Sequence, residues 1–272
     1  RRVQGVVALH NGVMTTTSVD VVFPVLHGKN GEDGTVQGLL ELAGIPFVGC
    51  HSLSSAICMD KDIAHILAAS SGVLTPRSVT VYQNTEPDNI IAAVESLGFP
   101  LYVKPAKAGS SIGITKAYRT ADLVQGIENA FRHDNKVVIE ENVAGFEVGC
   151  AVLGNGDVIV GEVDEIELSH GFFNYTEKYS LETSRIHVPA RVEQGMAEKI
   201  KETAIHLYRV LGCRGFARVD MFVTPSNEIV FNEVNTIPGF TAKSRYPTML
   251  RAAGISYQEL LDTLIFLAME AD

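Results

Sequence analysis

The chain has 272 residues, of which 46% are hydrophobic and 20% are charged, a balance that is typical of a globular protein and excludes a disordered chain. Its 22 basic residues against 32 acidic residues give a net charge of -10, which argues against a nucleic-acid-binding surface. Any polyanionic ligand must therefore be bound by a local group of basic side chains or by a metal.

The cysteines and the termini indicate where such a protein would work. The four cysteines are too widely spaced for a zinc site, and we interpret them as reduced thiols of a cytoplasmic protein: Cys50, Cys58, Cys150 and Cys213. No apolar run reaches the ~20 residues of a membrane span, and no signal-peptide pattern is present. Because the chain begins at Arg1, in what could be the middle of a strand, we expect an N-terminal truncation.

The first predicted strand covers residues 20–26, whose nearly continuous apolar run is typical of a strand buried on both faces. A glycine-rich polar loop follows, and Thr35 is predicted to cap a helix over residues 36–43. Ligands often bind at such strand ends, which makes His27 and Glu32 candidate site residues. A surface loop whose glycines serve only the turn is the alternative, and these residues alone favour it.

Residues 75–141 alternate strands and helices, which predicts a separate α/β lobe after helices at 52–58 and 61–70. Inside this lobe, Lys104 and Lys107 stand at the base of a loop of small residues. Its backbone N–H groups and positive charge suit a phosphate. The loop does not match the P-loop pattern, because its lysines precede the glycines, and a flexible hairpin loop is the alternative.

The last part of the chain predicts a hairpin around Asn155, an amphipathic helix over residues 194–211, and two C-terminal helices. Between them, residues 166–186 form a long, poorly periodic segment. Loops of this length in compact proteins are usually functional or disordered. Four aromatic residues in this segment favour a lid that closes over a ligand.

A second hairpin is predicted by two runs rich in Val, Phe and Ile, residues 217–222 and 229–235, separated by a Pro-Ser-Asn turn. It places three oxygen ligands on neighbouring strands: Asp220, Glu233 and Asn235. Such oxygens suit Mg²⁺, which completes its octahedron with water and substrate phosphates. The alternative is a structural ion pair with Arg218, and from these residues alone the two interpretations are even.

The order of the motifs is more specific than any one of them: LHGKNGEDGTVQG, CMDKD, VKPAKAGSSIG, EENVAGFEVG, TEKY, GFARVDMF and NEVNTIPGFT. In this order they resemble the D-alanine:D-alanine ligase family of the ATP-grasp superfamily, from about residue 20 to the C-terminus. The resemblance implies an α/β (α+β) ATP-grasp fold, in which two α/β lobes grip ATP after a truncated Rossmann-like N-terminal domain. The implied domains are residues 1–50, 51–141 and 142–272.

The resemblance also implies which residues bind ATP. Lys61 and Lys104 resemble the lysines that hold its phosphates, and Ser110 and Ser111 lie in the loop that covers them. Lys178, beside Tyr179 in the predicted lid, resembles a γ-phosphate contact. The residues that resemble the adenine- and ribose-binding group are Glu140, Glu141, Val143 and Glu147.

In the family's reaction, ATP phosphorylates the carboxylate of the first D-alanine, and the amine of the second residue attacks the acyl phosphate. The three oxygen ligands would hold two Mg²⁺ ions, or Mn²⁺, with Glu233 bridging. Alanine variants of Asp220 and Glu233 are expected to lose ATP turnover but remain folded. Arg218 and the Gly239 N–H would form the oxyanion hole, with Arg218 facing the reacting carbonyl rather than the neighbouring acids. The implied catalytic group is Arg218, Gly239, Ser110, Tyr179 and Lys178.

The stretches GCAVLG, GEVDEIELS and GCRGFARVDMF resemble the vancomycin-resistance ligases, most closely the VanG type, which use D-serine. Asp164, Phe173 and Arg245 match that type, with Ser244 nearby. The D-lactate-using members lack the Lys178–Tyr179 pair, which disfavours D-lactate. We therefore expect D-alanine:D-serine ligation, which gives altered peptidoglycan precursors, with consequences for cell-wall biogenesis, cell shape and vancomycin resistance.

Other interpretations remain open. One is the housekeeping D-alanine:D-alanine ligase, and another is a nucleotide-binding module without chemistry, although the intact site residues weigh against it. A carboxylase subunit would have no reason to carry both the EKY and HGKNGEDG motifs. The family's first strand and early glycine-rich loop have no match, so we expect an incomplete first subsite and low activity of the 272 residues. The expected partners are small-molecule substrates, not nucleic acid or membrane, and a homodimer is compatible with the apolar edge of the first domain.

Overall fold

The structure is a computed structural model that describes residues 5–109, 111–168 and 184–270. The strands are β1 (Gly5–His10), β2 (Val13–Ser18), β3 (Ser78–Tyr82), β4 (Leu101–Pro105), β5 (Thr115–Ala117), β6 (Lys136–Glu141), β7 (Phe146–Leu153), β8 (Ile159–Val160), β9 (Asp164–Leu168), β10 (Ser184–His187), β11 (Phe216–Val223) and β12 (Ile229–Asn235). The helices are α1 (Thr35–Ala43), α2 (Ser52–Met59), α3 (Lys61–Ser70), α4 (Pro87–Val94), α5 (Thr120–Ala130), α6 (Gln194–Val210), α7 (Arg245–Ala252) and α8 (Tyr257–Met269). No helix in the described ranges is both long and apolar enough to span a membrane.

The part of the chain that the sequence predicts as a central lobe contains a four-stranded sheet with the order β3-β6-β4-β5, in which all neighbours are antiparallel. Helices α4 and α5 pack on this sheet because each has an apolar stripe at helical spacing. Leu123 and Ile127 of α5 share a core with Val103 and Ile139 of the sheet. The lobe therefore has a hydrophobic core of its own.

The second sheet has the order β10-β9-β7-β11-β12, and β8 pairs with the last two residues of β7. Alternation along β11 separates two environments. Val219 and Met221 belong to the core that also contains Ile200 and Leu207 of α6, whereas Phe216 packs with α7 and α8 on the opposite side. Because side chains alternate between the faces of a strand, Arg218 and Asp220 share the side of Phe216.

Five aromatic residues form a cluster beneath one end of this sheet, and we call it the aromatic floor: Phe23, Phe216, Phe240, Tyr246 and Tyr257. The ring centroid of Phe240 lies 5.1 Å from that of Phe23, 5.6 Å from that of Phe216 and 5.7 Å from that of Tyr257. The hydroxyl of Tyr257 also donates to the Phe240 carbonyl at 2.9 Å. Both the ring and the backbone of Phe240 are thus fixed.

Two predictions for the N-terminal part are wrong. Residues 20–26 do not form a strand, since Val22 makes only a single parallel bridge with Phe47, and Val25 and Leu26 are 52% and 51% exposed. An apolar run forms a buried strand only if partner strands flank it. In the described part of the chain, residues 20–26 have one bridge, between Val22 and Phe47, and no partner strand. Thr35 is the first residue of α1 rather than its cap, because Gly34, with φ of 90°, occupies the N-cap position.

The segment over residues 166–186 is also more regular at its ends than its sequence predicts. Ile166 of β9 pairs with Ile186 of β10 in an antiparallel ladder. The charged residues around Ile166 obscured the alternation that would have indicated a strand. The predicted lid residues Phe173, Lys178 and Tyr179 lie outside the described residues, as does Ser110. The four cysteines are buried free thiols.

Candidate active site

A cavity of about 540 Å³ lies between the two sheets. It is bounded by β4 and β6 on one side and by β7, β9, β11 and β12 on the other. All the described residues that were predicted to bind ATP line it: Lys61, Lys104, Ser111, Glu140, Glu141, Val143 and Glu147. The fold therefore brings together residues that are spread over more than eighty positions of the sequence.

A second cavity, of about 490 Å³, adjoins the first. It is lined by eight residues that were predicted to bind substrate or metal or to act in catalysis: His27, Glu32, Arg218, Glu233, Asn235, Gly239, Ser244 and Arg245. Lys61 and Glu233 line both cavities, and Lys61 Nζ lies 3.3 Å from Glu233 Oε2. The two cavities therefore meet at this ion pair. Asp164 and Asp220 are 0% and 1% exposed and lie behind the cavity wall.

Lys104 and Glu140 form a buried ion pair in the first cavity. Burial lowers the pKa of Lys104, but the charge of Glu140 more than offsets this and raises it overall. For Glu140, burial raises the pKa and Lys104 lowers it, with a net lowering. Both side chains therefore stay charged at neutral pH, and the lysine presents a permanent cation to the cavity.

His65, which sequence reasoning missed, lies behind this pair. Its Nε2 is 2.7 Å from the carbonyl oxygen of Asn232, which can only accept, so Nε2 carries the proton. Burial lowers the pKa of His65 and favours the neutral ring. Nδ1 then has a lone pair and faces Glu140 Oε1 at 3.8 Å, which explains why neither atom has a hydrogen bond. A lone histidine on a helix gives no sequence signal for this arrangement.

A row of residues crosses the second sheet at the border of the two cavities. Gly149 of β7 is paired with Asp164 on one side and with Asp220 on the other, and Asp220 is paired with Glu233. Arg245 lies over Gly149 and donates to Asp164 through Nε at 2.7 Å and Nη2 at 2.8 Å. The same Nη2 lies 3.4 Å from Asp220 Oδ1. Arg245 thus joins two buried carboxylates across the strand between them.

Gly149 is required by this crossing. A Cβ at position 149 would overlap Arg245 Nη2 and lie 2.6 Å from Asp164 Oδ1. We expect Gly149→Ala to lower the free energy of unfolding by about 1–3 kcal/mol, the usual effect of overpacking a buried site. Urea denaturation measures this, with Gly156→Ala as the control, since a Cβ there meets nothing within 4 Å. Equal unfolding midpoints for the two variants would contradict the expectation.

The prediction that Arg218 faces the reacting carbonyl rather than the neighbouring acids is wrong for this structure. It donates to both oxygens of Asp220, through Nε at 2.7 Å and Nη2 at 2.6 Å. The amide nitrogen of Asn235 donates to Asp220 Oδ2 at 2.8 Å. A carboxylate as buried as Asp220 needs such partners, because an unpaired buried charge is strongly unfavourable.

The β11–β12 hairpin carries oxygen ligands of the kind that Mg²⁺ binds. Asp220 and Glu233 are directly opposite each other on β11 and β12, and Asn235 is opposite Arg218. Two carboxylates and an amide oxygen are the hard ligands that Mg²⁺ takes beside substrate phosphates. Across the described ranges, three or more His, Cys, Asp and Glu side chains do not come together as a metal site. The donor set fits, provided that Arg218 releases Asp220.

The comparison with known proteins decides the family. The chain matches the family description "D-ala D-ala ligase N-terminus" over residues 4–50 and "D-ala D-ala ligase C-terminus" over residues 68–266. The chain belongs to the D-Ala–D-Ala ligase family. Members of this family are enzymes that join D-amino acids with ATP, and the fold of this ligase is the ATP-grasp fold.

Individual relatives of the ligase differ in their names and substrates. The "Vancomycin B-type resistance protein VanB" of Enterococcus faecalis is 49% identical over 99% of this chain and 79% of VanB. The "D-alanine--D-alanine ligase" of Caldicellulosiruptor bescii is 48% identical over 99% of this chain and 76% of that protein. The solved structure of the VanG D-Ala:D-Ser ligase from Enterococcus faecalis is 57% identical, with a TM-score of 0.87, and the match covers 94% of this chain and 74% of VanG.

The loop after residue 26 closes one side of the second cavity of the ligase. Glu32 Oε2 accepts a hydrogen bond from the Gly28 N–H at 2.5 Å, and burial raises the pKa of Glu32. The loop after β4 approaches the same carboxylate, since a Cβ at Gly109 would lie 3.5 Å from Glu32 Oε2. His27 lines the same cavity. The structure thus brings both predicted loop residues to the site.

Three charged residues of the first cavity were not predicted from the sequence of the ligase. Glu165, Glu167 and Arg191 line the cavity, and Arg191 Nη2 lies 2.6 Å from Glu165 Oε1. Glu165 and Glu167 are alternate residues of β9, so strand periodicity places them on one face. If β9 had been recognised as a strand in the sequence, its alternation would have predicted that Glu165 and Glu167 face the same side.

Proposed function

We propose that the chain joins D-alanine to D-serine with ATP, through a D-alanyl phosphate. The observation that carries this proposal is the junction of the two cavities at Lys61 and Glu233. A nucleotide in the first cavity and an amino-acid carboxylate in the second would meet there. Phosphoryl transfer depends mainly on positioning and charge neutralisation, and neither requires a protein nucleophile.

The first cavity is proposed to hold ATP. Lys61 and Lys104 would contact its phosphates, and Glu147 would bind its ribose. Ser111 lies in the small-residue loop that is proposed to cover the phosphates. Asp220, Glu233 and Asn235 would hold two Mg²⁺ ions, which neutralise the negative charge of the phosphates when bound.

The second cavity is proposed to hold both amino acids. His27 and Glu32 border the place of the first D-alanine, and the Gly239 N–H would donate to the tetrahedral oxygen. Arg218 would be the second donor once it releases Asp220. Ser110, Lys178 and Tyr179 keep the roles that the family resemblance gives them.

The position of Arg245 supports D-serine as the second substrate. Arg245 lines the second cavity, and its Nε and Nη2 are fixed by Asp164, while Nη1 lies 3.4 Å from Glu147 Oε1. A guanidinium held on one edge can offer a remaining N–H to a substrate hydroxyl. Such a contact gains affinity for D-serine, but a pocket that accepts a hydroxyl discriminates by only ~10²-fold.

Housekeeping D-alanine:D-alanine ligation is the second candidate function. It is favoured by the nearly equal similarity to VanB and to the Caldicellulosiruptor ligase. The two functions share the whole site except the contacts of the second substrate. A module that binds nucleotide without chemistry is disfavoured, because Lys61, Glu233, Arg218 and Gly239 converge on one place.

Product analysis separates these functions. With ATP, Mg²⁺ and equal concentrations of D-alanine and D-serine, we expect D-alanyl-D-serine to exceed D-alanyl-D-alanine by mass spectrometry. The test compares products after long incubation, so it does not depend on a high turnover rate. D-lactate serves as the control second substrate and should give no D-alanyl-D-lactate. Predominant D-alanyl-D-alanine would overturn the D-serine assignment, and the absence of any dipeptide and of ADP would overturn ligation itself.

A further inference from the structure

A buried ion cluster lies at the start of α3, outside the linings of both cavities. Lys136 Nζ is 2.9 Å from Asp60 Oδ1 and 2.6 Å from Asp62 Oδ2. Asp60 and Lys136 are 7% and 6% exposed. Burial lowers the pKa of Lys136, but its bonds to Asp62 and Asp60 raise it overall, so the lysine stays charged. None of these three residues lines the first cavity.

Each acid of the cluster also holds a structural element. Asp60 caps α3, because its Oδ1 accepts from the Ile63 N–H at 3.3 Å. Asp62 accepts from the Thr80 hydroxyl of β3 at 2.8 Å. Lys136 is the first residue of β6 in the same sheet. The cluster therefore fastens the first turn of α3 to the four-stranded sheet.

Lys61 lies between the two acids in sequence, yet its ammonium group points elsewhere. Lys61 Nζ donates to the Ala108 carbonyl at 3.0 Å and pairs with Glu233 at 3.3 Å. Its backbone N–H donates to Ala106 O at 3.1 Å, and the Ala106 N–H donates to Lys136 O at 2.9 Å. Lys61 and Lys136 are thus linked through one residue of the loop that follows β4.

The charges explain why the two lysines have separate partners. Among the described residues, the other cation paired with Asp60 is Lys107, whose Nζ lies 3.9 Å away and whose side chain is 51% exposed. Without Lys136, Lys61 would be attracted to the acids on either side of it, and the surroundings of the phosphate site would be one unit more negative. Charge pairs as close as those of Lys136 with Asp60 and Asp62 interact strongly in a partly buried site.

We propose that Lys136 is a positioning residue for ATP binding. It pairs with both Asp60 and Asp62 and offsets one of their two negative charges, and so leaves the Lys61 ammonium group for Glu233 and the nucleotide phosphates. This inference rests on the proposed function, in which Lys61 binds ATP. It assigns a role to a residue that a reading of β6 alone would take for an ordinary solvated lysine.

The test is ADP affinity, measured by isothermal titration calorimetry, in variants that separate charge from packing. Lys136→Gln is expected to raise the Kd for ADP roughly tenfold or more, the effect of one uncompensated charge near the phosphates. The double variant Lys136→Gln/Asp62→Asn restores the net charge and is expected to recover most of that loss. Lys199→Gln makes the same charge change on the exposed side of α6 and should leave Kd unchanged.

The outcomes are distinct. An unchanged Kd in Lys136→Gln, beside firm ADP binding by the wild-type protein, overturns the inference alone. A double variant as weak as the single one also overturns it, because the role of the lysine would then be packing rather than neutralisation. If Lys136→Gln does not fold, Asp62→Asn decides: equal or tighter ADP binding supports the inference, and weaker binding overturns it. Failure of the wild-type protein to bind ADP overturns both this inference and the proposed function.

Discussion

Replacement of Glu233 by glutamine is expected to lower the rate of ATP-dependent ligation by about 10³-fold, the effect of removing charge stabilisation worth several kcal/mol. Glu233 lines both cavities and pairs with Lys61, and its side chain is 20% exposed. An amide in its place keeps the shape but neither balances Lys61 nor binds a cation as firmly. Because Glu233 is partly solvated, the fold should remain stable.

This first result is checked by ADP formation and by Mn²⁺ binding in electron paramagnetic resonance, with urea denaturation alongside. Glu228→Gln is the matched control, since Glu228 is an exposed acid in the turn just before β12 and bonds only to that turn among the contacts described. It should keep wild-type turnover and metal binding. Turnover by Glu233→Gln within tenfold of the wild-type rate would contradict the metal-binding role.

Asp220→Ala is expected to lose both activity and stability, with a fall of about 3–5 kcal/mol in the free energy of unfolding, as for other broken buried ion pairs. The sequence predicted that this variant would remain folded. The structure argues otherwise, because Asp220 is 1% exposed and balances Arg218 and Arg245. Its removal leaves two arginines in a buried site with fewer anions. Chemical denaturation followed by circular dichroism measures the loss.

A double variant separates charge imbalance from lost packing. The double variant Asp220→Ala/Arg218→Met loses the positive charge of Arg218 together with the carboxylate of Asp220. It should therefore have a higher free energy of unfolding than the single variant Asp220→Ala. Unfolding at the wild-type midpoint for Asp220→Ala alone would show that the pair contributes little. In that case Asp220 would be retained for its chemistry only.

The β11–β12 hairpin was predictable because its turn and its apolar alternation are local signals. The pairing of Asp220 with Glu233 follows from them, although the structure adds a register shift after Asp220. The rest of the row was not predictable from either strand. Gly149 and Asp164 come from other strands and Arg245 from a helix, and only the sheet order brings them together.

The other misses have physical reasons of the same kind. The apolar run over residues 20–26 has the composition of a buried strand, but hydrogen-bonded neighbours decide whether a strand forms. The partner of Arg218 depends on its rotamer and on the burial of Asp220, which no spacing encodes. Lys136 has a sequence context that is ordinary for a solvated lysine. Long-range contacts give it a buried partner on another element.

The aromatic floor has a consequence for how substrate choice can evolve in this ligase. Phe240 lines the second cavity, yet its ring packs against three other rings of the floor at 5.1 to 5.7 Å. A smaller residue there would leave a void among large rings and would cost several kcal/mol. Thr241 and Lys243 line the same cavity but are exposed. With both amino acids bound in the second cavity, as proposed, we expect changes in the choice of the second substrate to arise from substitutions at the exposed rim of the cavity rather than at the aromatic floor.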